Sequence, residues 1–191
     1  MGRVILIVGP HGVGKTSLLN YVKQQGEFCV FEGFKIPVGN YNLKELSDFC
    51  EYQKKYLEYA SFLCCRVKNS KSDGIFLRTI EECSFYYHVN KKSNHMMDKY
   101  HEEVRKNNYV GADMIIYLDA HIDELKQRCI SDNKRNMETT NKWYRDYYVK
   151  YDRYWKKYPR IIVIDTSKKS VQEIYIRIKE LCDERSICVK K

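Results

Sequence analysis

The 191-residue sequence predicts a three-layer α/β sandwich, in which helices cover both faces of a five-stranded parallel sheet. Apolar runs as short as buried strands alternate with segments of helical periodicity, and this alternation is typical of the class. Strands that alternate with helices imply right-handed crossover connections between parallel strands of one sheet. The length fits a single domain over residues 1–191. The three strongest strand candidates are residues 3–8, 114–118 and 161–164, and the two weaker ones are residues 28–31 and 74–78.

The composition is that of a globular protein, with 43% hydrophobic and 31% charged residues and only 9 Gly and 3 Pro. The longest aliphatic runs, such as residues 4–8, are far shorter than the roughly 18 residues that a membrane-spanning helix needs. Residues 9–15 interrupt the first run before it could form the apolar core of a signal peptide. We therefore expect a cytoplasmic protein without membrane segments.

Charge and cysteine content narrow the classes of partner and site. The formal net charge of +9 favours anionic partners, but it does not tell a nucleotide from a nucleic acid. Eight cysteines lie mostly in apolar periodic segments, without any C-x-x-C pair or export signal, and are interpreted as buried thiols. The histidines are scattered through the chain, so no zinc-ligand spacing emerges.

The segment between the first predicted strand and the first predicted helix carries the strongest motif. Residues 9–16 read Gly-Pro-His-Gly-Val-Gly-Lys-Thr and fit the phosphate-binding loop G-x-x-x-x-G-K-[ST] at every fixed position. Glycines let such a loop turn its N–H groups toward phosphate oxygens, and the helix N-terminus adds a partial positive charge. The predicted nucleotide-binding residues are Gly9, His11, Gly12, Val13, Gly14, Lys15, Thr16 and Ser17.

Two residues of this loop have distinct predicted roles. Lys15 would reach the β- and γ-phosphates of a nucleoside triphosphate, and the Thr16 hydroxyl would ligate Mg²⁺. A regulatory GTPase would also need an Asp-x-x-Gly switch and a base-reading Asn-Lys-x-Asp. Neither occurs, since no glycine has Asp three residues before it and residues 133–136 read Asn-Lys-Arg-Asn. A small kinase that acts on a metabolite remains the predicted class.

Two predicted helices carry unusual side chains. The first follows a loop at residues 33–42 and has apolar residues at steps of three and four from Leu43 to Val67, with Gln53 on the same face. A buried amide needs partners, which are either neighbouring protein groups or a ligand. The second helix, residues 143–158, places tyrosines and tryptophans at helical spacing, and its predicted role is packing with hydroxyls at polar edges.

In element order and spacing, most of the chain resembles the deoxynucleoside kinase family, within the larger group that also contains thymidylate kinases. The resemblance implies that Glu32, directly after the second strand, is the base for a nucleoside 5′-hydroxyl. It also implies that Gln53, 25 residues before Arg78, hydrogen-bonds the nucleoside base, and that Arg78 contacts phosphate near the reaction centre. This resemblance favours the ligand-binding interpretation of Gln53 over the structural one.

The chain departs from the family at two positions. Leu77 stands where the family has a Glu that helps to hold Mg²⁺, and leucine can ligate no metal. Ser84 stands where the family has a second Arg that reads the base, so the base preference stays open. The carboxylates that could support the metal instead are Glu81, Glu82, Asp119 and Asp165.

Residues 128–137 resemble the short Arg-rich lid of these kinases. Lid cations pair with phosphates when both substrates are bound, which excludes water from the transfer. Arg128 is predicted to be catalytic, and Lys134 and Arg135 to bind the nucleotide; a solvated basic loop is the structural alternative. Because family members commonly dimerise, the resemblance also implies a possible homodimer.

The predicted function is ATP-dependent phosphorylation of a (deoxy)nucleoside 5′-hydroxyl to the monophosphate, with Mg²⁺ as cofactor. Its catalytic residues would be Glu32, Lys15, Arg78 and Arg128. The first alternative is a nucleoside monophosphate kinase of thymidylate kinase type, which usually has Asp-Arg-Tyr or Asp-Arg-Trp where this chain has Leu-Arg-Thr at residues 77–79. The second alternative is a nucleotide-binding regulatory protein without turnover. A nucleic-acid partner is not expected, because no single-strand or helix-turn-helix signature occurs.

Overall fold

The computed structural model describes residues 1–32, 41–89, 95–131 and 141–188. Its strands are β1 Val4–Val8, β2 Cys29–Phe31, β3 Gly74–Phe76, β4 Met114–Asp119 and β5 Ile161–Asp165. All of them are parallel and form one sheet in the order β2-β3-β1-β4-β5. The predicted five-stranded parallel sheet is thus confirmed.

The helices follow the strands as the alternating pattern predicts. They are α1 Lys15–Gln25, α2 Leu46–Lys68, α3 Ile80–Val89, α4 Met96–Asn107, α5 Ile122–Ser131, α6 Val149–Lys156 and α7 Val171–Cys188. None of the helices described here is both long and apolar enough to cross a membrane.

Alternating residues of the central strand β1 build the core on both faces of the sheet. Ile5 and Ile7 pack with α1, α5 and α7 on one face. Leu6 and Val8 lie in a cluster with α3 and α6 on the other face, and Val4 packs there against α2. Because side chains of a strand point alternately to opposite faces, a strand buried on both sides must be apolar throughout. The three predicted layers follow from this arrangement.

The helix that carries Gln53 begins later than its apolar pattern suggests. Leu43 was expected on its buried face, but α2 begins at Leu46 and Leu43 is exposed. The Asn42 side chain accepts a hydrogen bond from the Lys44 N–H, and the Asp48 carboxylate accepts one from the Asn42 N–H at 2.7 Å. Such side-chain bonds favour a turn over a helix, which accounts for the later start.

The predicted aromatic helix is divided into two parts. A π-helical turn, Tyr144–Tyr148, leads directly into α6. Tyr151 and Trp155 of α6 are buried against the sheet, in a cluster with Phe85 of α3. The predicted packing role of this segment is therefore confirmed, and its π-helical turn lies close to the loop that follows β1.

The loop between β1 and α1 depends on glycine because its backbone is left-handed and tightly packed. Gly12 has φ +79°, and a Cβ atom there would overlap the Leu125 carbonyl oxygen and lie 2.9 Å from the Cys129 sulfur. Gly26, at the end of α1, has a similar φ of +71°, but a Cβ atom there would meet no atom within 4 Å. A substitution at either glycine therefore strains the backbone, but only a substitution at Gly12 also causes steric overlap.

We predict that Gly12→Ala destabilises the protein more than Gly26→Ala does. Both variants put a side chain on a left-handed backbone, which costs roughly 1–2 kcal/mol. Gly12→Ala also forces α5 or the loop to move, which adds about 1–3 kcal/mol. Chemical denaturation followed by circular dichroism measures both changes in the free energy of unfolding. Equal destabilisation by the two variants would show that the loop does not pack against α5 as described.

Candidate active site

The loop that follows β1 presents backbone N–H groups at the N-terminus of α1. Gly14 precedes this helix with φ +95°, and no side chain caps the helix there. The first N–H groups of a helix without such a cap have no partner within the helix, so they are suited to bind an anion. The predicted phosphate-binding loop thus has the strand-loop-helix geometry that its chemistry requires.

Lys15 and Thr16 occupy the first turn of α1. The Lys15 ammonium group donates hydrogen bonds to the carbonyl oxygens of Gly9 and Pro10, at 2.6 and 2.9 Å. It therefore lies across the loop, beside the N–H groups that would surround a phosphate. Thr16 and Ser17 are exposed, whereas Val13 is buried in the core and contributes its backbone alone.

Aromatic residues near the π-helical turn hold the phosphate-binding loop in place. The Tyr144 hydroxyl donates a hydrogen bond to the His11 carbonyl oxygen at 2.5 Å, and the Trp143 ring lies 4.1 Å from the His11 ring. The Tyr151 hydroxyl accepts a hydrogen bond from the Gly9 N–H at 3.3 Å. The sequence analysis predicted packing for these tyrosines and missed their hydrogen bonds to the loop. Their spacing of seven residues, which puts Tyr144 and Tyr151 on one helix face, was the available sign.

Arg78 and Glu82 meet in the cleft beside this loop. Arg78 lies between β3 and α3, and its Nε atom is 3.6 Å from the Glu82 Oε2 atom, one helical turn further along the chain. Burial raises the pKa of the Glu82 carboxyl to about 6, while the nearby cations of Arg78 and Lys15 lower it. Glu82 is therefore within electrostatic reach of both cations predicted to contact phosphate.

The α2 helix contributes one side of the same cleft. Gln53 is 7% exposed and Tyr56, one turn later, is 6% exposed. The Tyr56 hydroxyl interacts with the Arg78 guanidinium, which connects this face of α2 to the cleft. Among the residues that the structure describes, the Gln53 amide has no hydrogen-bond partner. The binding of a ligand by Gln53 therefore stays a prediction from the sequence.

Glu32 lies at the correct end of the sheet but has a partner of its own. It follows β2 directly, and the Leu77 N–H donates a hydrogen bond to the carbonyl oxygen of the preceding residue, Phe31, at 3.1 Å. Glu32 is thus a neighbour of the segment that carries Arg78. Its carboxylate forms an ion pair with Lys23 of α1, and its side chain is 51% exposed. Arg78 and Lys15 both act electrostatically on Glu82, whereas the Glu32 carboxylate pairs with Lys23.

The predicted lid is only partly described. Arg128, near the end of α5, donates hydrogen bonds to the Thr166 carbonyl and hydroxyl oxygens, at 3.2 and 3.3 Å, and pairs with Glu124. It therefore lies against the loop that follows β5. Lys134 and Arg135 lie outside the described residues, so the lid stays a prediction.

The sequence offers four carboxylates that could support a metal ion in place of Leu77, and three of them form bonds with protein groups. Asp119 pairs with Lys156 at 2.7 Å and accepts the Ala120 N–H, and Asp165 accepts the Ser167 N–H at 2.9 Å. Glu81 accepts hydrogen bonds from the Thr79 hydroxyl and from the Ala112 N–H. The buried Oε2 atom of Glu82 accepts no hydrogen bond within the described chain. No three His, Cys, Asp or Glu side chains of the described ranges form a metal cluster.

A separate cavity of about 570 Å³ lies between the ends of α3 and α6. His88, Arg153 and Tyr154 are among the residues that line it. None of its lining residues belongs to the phosphate-binding loop or to the Arg78–Glu82 pair. Ser84, at the position of the base-reading arginine of the family, is buried and hydrogen-bonded to Tyr154. Ser84 thus has a packing role in this chain.

Comparison with known proteins relates the chain to solved kinase structures. No protein-family model and no curated protein matches it. Deoxyadenosine kinase from M. mycoides, solved with dCMP and dCDP, is 21% identical, with a TM-score of 0.63 over 94% of this chain and 99% of that chain. YorR protein from Bacillus subtilis, in complex with phosphorylated GDP, is 14% identical, with a TM-score of 0.60 over 96% and 97%. Thymidylate kinase from Candida albicans is 13% identical, with a TM-score of 0.55 over 97% and 92%. The chain therefore has the fold of the P-loop nucleoside and nucleotide kinases.

Proposed function

We propose that this protein transfers the γ-phosphoryl group of ATP to the 5′-hydroxyl of a (deoxy)nucleoside. The observation that carries the proposal is the convergence of Lys15, Arg78 and Glu82 beside the glycine loop, with the Gln53 face of α2 along the same cleft. A kinase for a small acceptor needs a phosphate cradle next to a pocket for that acceptor. The likeness to deoxyadenosine kinase and thymidylate kinase supports this class of reaction.

The loop and its cations would act on the donor. Backbone N–H groups of residues 11–16 and the Lys15 ammonium group bind the β- and γ-phosphates, and Arg78 neutralises charge on the transferred group. The cations predicted for the lid, Arg128, Lys134 and Arg135, would add positive charge around the phosphates. Thr16, exposed at the first turn of α1, would hold Mg²⁺, which supplies further neutralisation of phosphate charge when it is bound.

The other side of the cleft would hold the acceptor. Gln53 has an amide that can donate and accept, which fits the paired donors and acceptors of a nucleobase edge. The Glu32 carboxylate first separates from the Lys23 ammonium group and then accepts the proton of the 5′-hydroxyl. Phosphoryl transfer requires positioning and charge neutralisation more than a strong base, so an exposed carboxylate suffices. The cytoplasmic location and the homodimer stay predictions from the sequence.

Product analysis tests the proposed reaction directly. The protein is incubated with MgATP and a panel of nucleosides and nucleoside monophosphates, and the products are separated by liquid chromatography with mass detection. We expect a nucleoside to be converted to its monophosphate. Conversion of monophosphates alone would favour the thymidylate-kinase-like alternative. ATP binding without any phosphorylated product would favour the regulatory alternative and contradict the proposal.

We predict that Lys15→Ala lowers turnover by at least about 10²–10³-fold without unfolding the protein. The reason is that Lys15 is the cation held across the phosphate-binding loop. Steady-state kinetics with the accepted nucleoside measures the loss. Lys71→Ala is the matched control, because it removes the same charge from an exposed position before β3. If Lys15→Ala kept the activity of Lys71→Ala, the assignment of the donor site would be wrong.

We predict that Glu32→Gln lowers kcat by about 10²–10⁴-fold and leaves the affinity for ATP unchanged, because it removes a proton acceptor from the acceptor side alone. Lys23→Met is the decisive control, since it breaks the same ion pair and keeps the carboxylate. Rates and ATP affinities of both variants are compared with those of the wild type. An equal loss in the two variants would mean that Glu32 contributes only its ion pair with Lys23.

A further inference from the structure

The Glu82 carboxylate lies near the cations Arg78 and Lys15 and has an oxygen atom without a hydrogen bond in the described part of the chain. Its Oε2 atom is buried and accepts no hydrogen bond from the described part of the chain, and the Arg78 Nε atom, at 3.6 Å, is too far to donate one. Leaving a buried charged acceptor unsatisfied costs more free energy than leaving a neutral one unsatisfied. Such a carboxylate requires an explanation from ligand binding or catalysis.

The location of Glu82 identifies the class of ligand. The Arg78 Nε atom lies 3.6 Å from this carboxylate, and the Lys15 ammonium group, which is held at the Gly9 and Pro10 carbonyl oxygens, also acts on it. The carboxylate is therefore beside the residues that are predicted to bind phosphate. Negative phosphates repel a carboxylate unless a cation lies between them. Mg²⁺ is bound in nucleotide sites by one or two carboxylates together with phosphates, and it keeps several of its waters. A single acceptor carboxylate beside the phosphate cradle fits this mode of binding.

Glu82 is also within reach of such a hydrated ion. Its side chain keeps 13% of its surface exposed, so the carboxylate is not sealed from the cleft. The carboxylates of Asp119, Asp165 and Glu81 accept hydrogen bonds from protein groups, and leucine occupies position 77. Of the acidic residues that the sequence suggested for this role, Glu82 is the one with an unused buried acceptor.

We propose that Glu82 holds the water shell of the Mg²⁺ that accompanies the nucleotide, and so supplies the carboxylate that Leu77 cannot. This inference rests on the proposed function and deepens it. Thr16 and Glu82 would contact the ion and its waters from two elements, α1 and α3. Arg78, paired with Glu82, then stays oriented toward the transferred phosphoryl group.

Metal binding tests this role without any turnover. Mn²⁺ is titrated, as a probe for Mg²⁺, into the protein saturated with β,γ-methylene-ATP, and the free ion is measured by electron paramagnetic resonance. We expect Glu82→Gln to weaken Mn²⁺ binding in this complex by about 10–100-fold, as is typical of residues that act on a metal through its outer shell. Binding of the analogue without metal should not weaken, and Glu82→Asp should recover part of the Mn²⁺ affinity.

Asp119→Asn is the matched control, because it removes a carboxylate at the end of a neighbouring strand that Lys156 already neutralises. Mn²⁺ affinity should be unchanged in this variant. If Glu82→Gln retained Mn²⁺ as tightly as Asp119→Asn did, Glu82 would only position Arg78, and the inference would be overturned. A wild type that holds Mn²⁺ through Glu82 but phosphorylates no nucleoside would instead overturn the proposed function alone.

Discussion

The rest of the candidate site depends on the conformation of the loop between β1 and α1, where left-handed glycines bring the backbone to the N-terminus of α1 beside the Lys15 ammonium group. A backbone with left-handed glycines does not hold its shape by regular hydrogen bonds, so it needs contacts from outside. Gly12 packs against α5, while Tyr144 and Tyr151 bond to the carbonyl and N–H groups of the loop. These neighbours come from distant parts of the chain. The rigidity of the loop is therefore a property of the whole sheet and its helices, and preorganised donors are what phosphate chemistry requires.

The cleft next to this loop balances charges of opposite sign. Lys15 and Arg78 favour the ionised form of Glu82, and burial opposes it, so the carboxyl has a raised pKa of about 6. A positive site without any carboxylate would bind phosphates strongly but offer a metal ion no negatively charged protein group. A carboxylate without the cations would be protonated at this depth. The three residues therefore depend on one another, and each comes from a segment that begins at the carboxyl end of a strand or just beyond it.

The fold could be predicted from the sequence because its signals are local. The apolar runs of the strands, the glycine loop and the spacing of Gln53 and Arg78 are all visible in single segments. The partners of the site residues could not be predicted in the same way. The ion pair of Glu32 with Lys23 and the bonds of Arg128 to Thr166 depend on how separate elements pack. The hydrogen bond of Tyr144 to the His11 carbonyl oxygen could not be predicted for the same reason, because the helical spacing of tyrosines predicts only that they share a face.

The proposed role of Glu82 would move the metal-supporting carboxylate from the end of a strand, where this chain has Leu77, to the helix that follows. Leu77 follows β3, where its partly buried side chain packs against the hydrophobic core. Five residues later, Glu82 lies in the first turn of α3, where the helix dipole favours a negative charge. Arg78 precedes α3 by two residues, and its Nε atom lies 3.6 Å from the Glu82 carboxylate. A helix that begins shortly after the strand can thus present a carboxylate near Arg78. The chemistry of the site therefore depends on where a side chain lies in space and not on its position in a sequence motif.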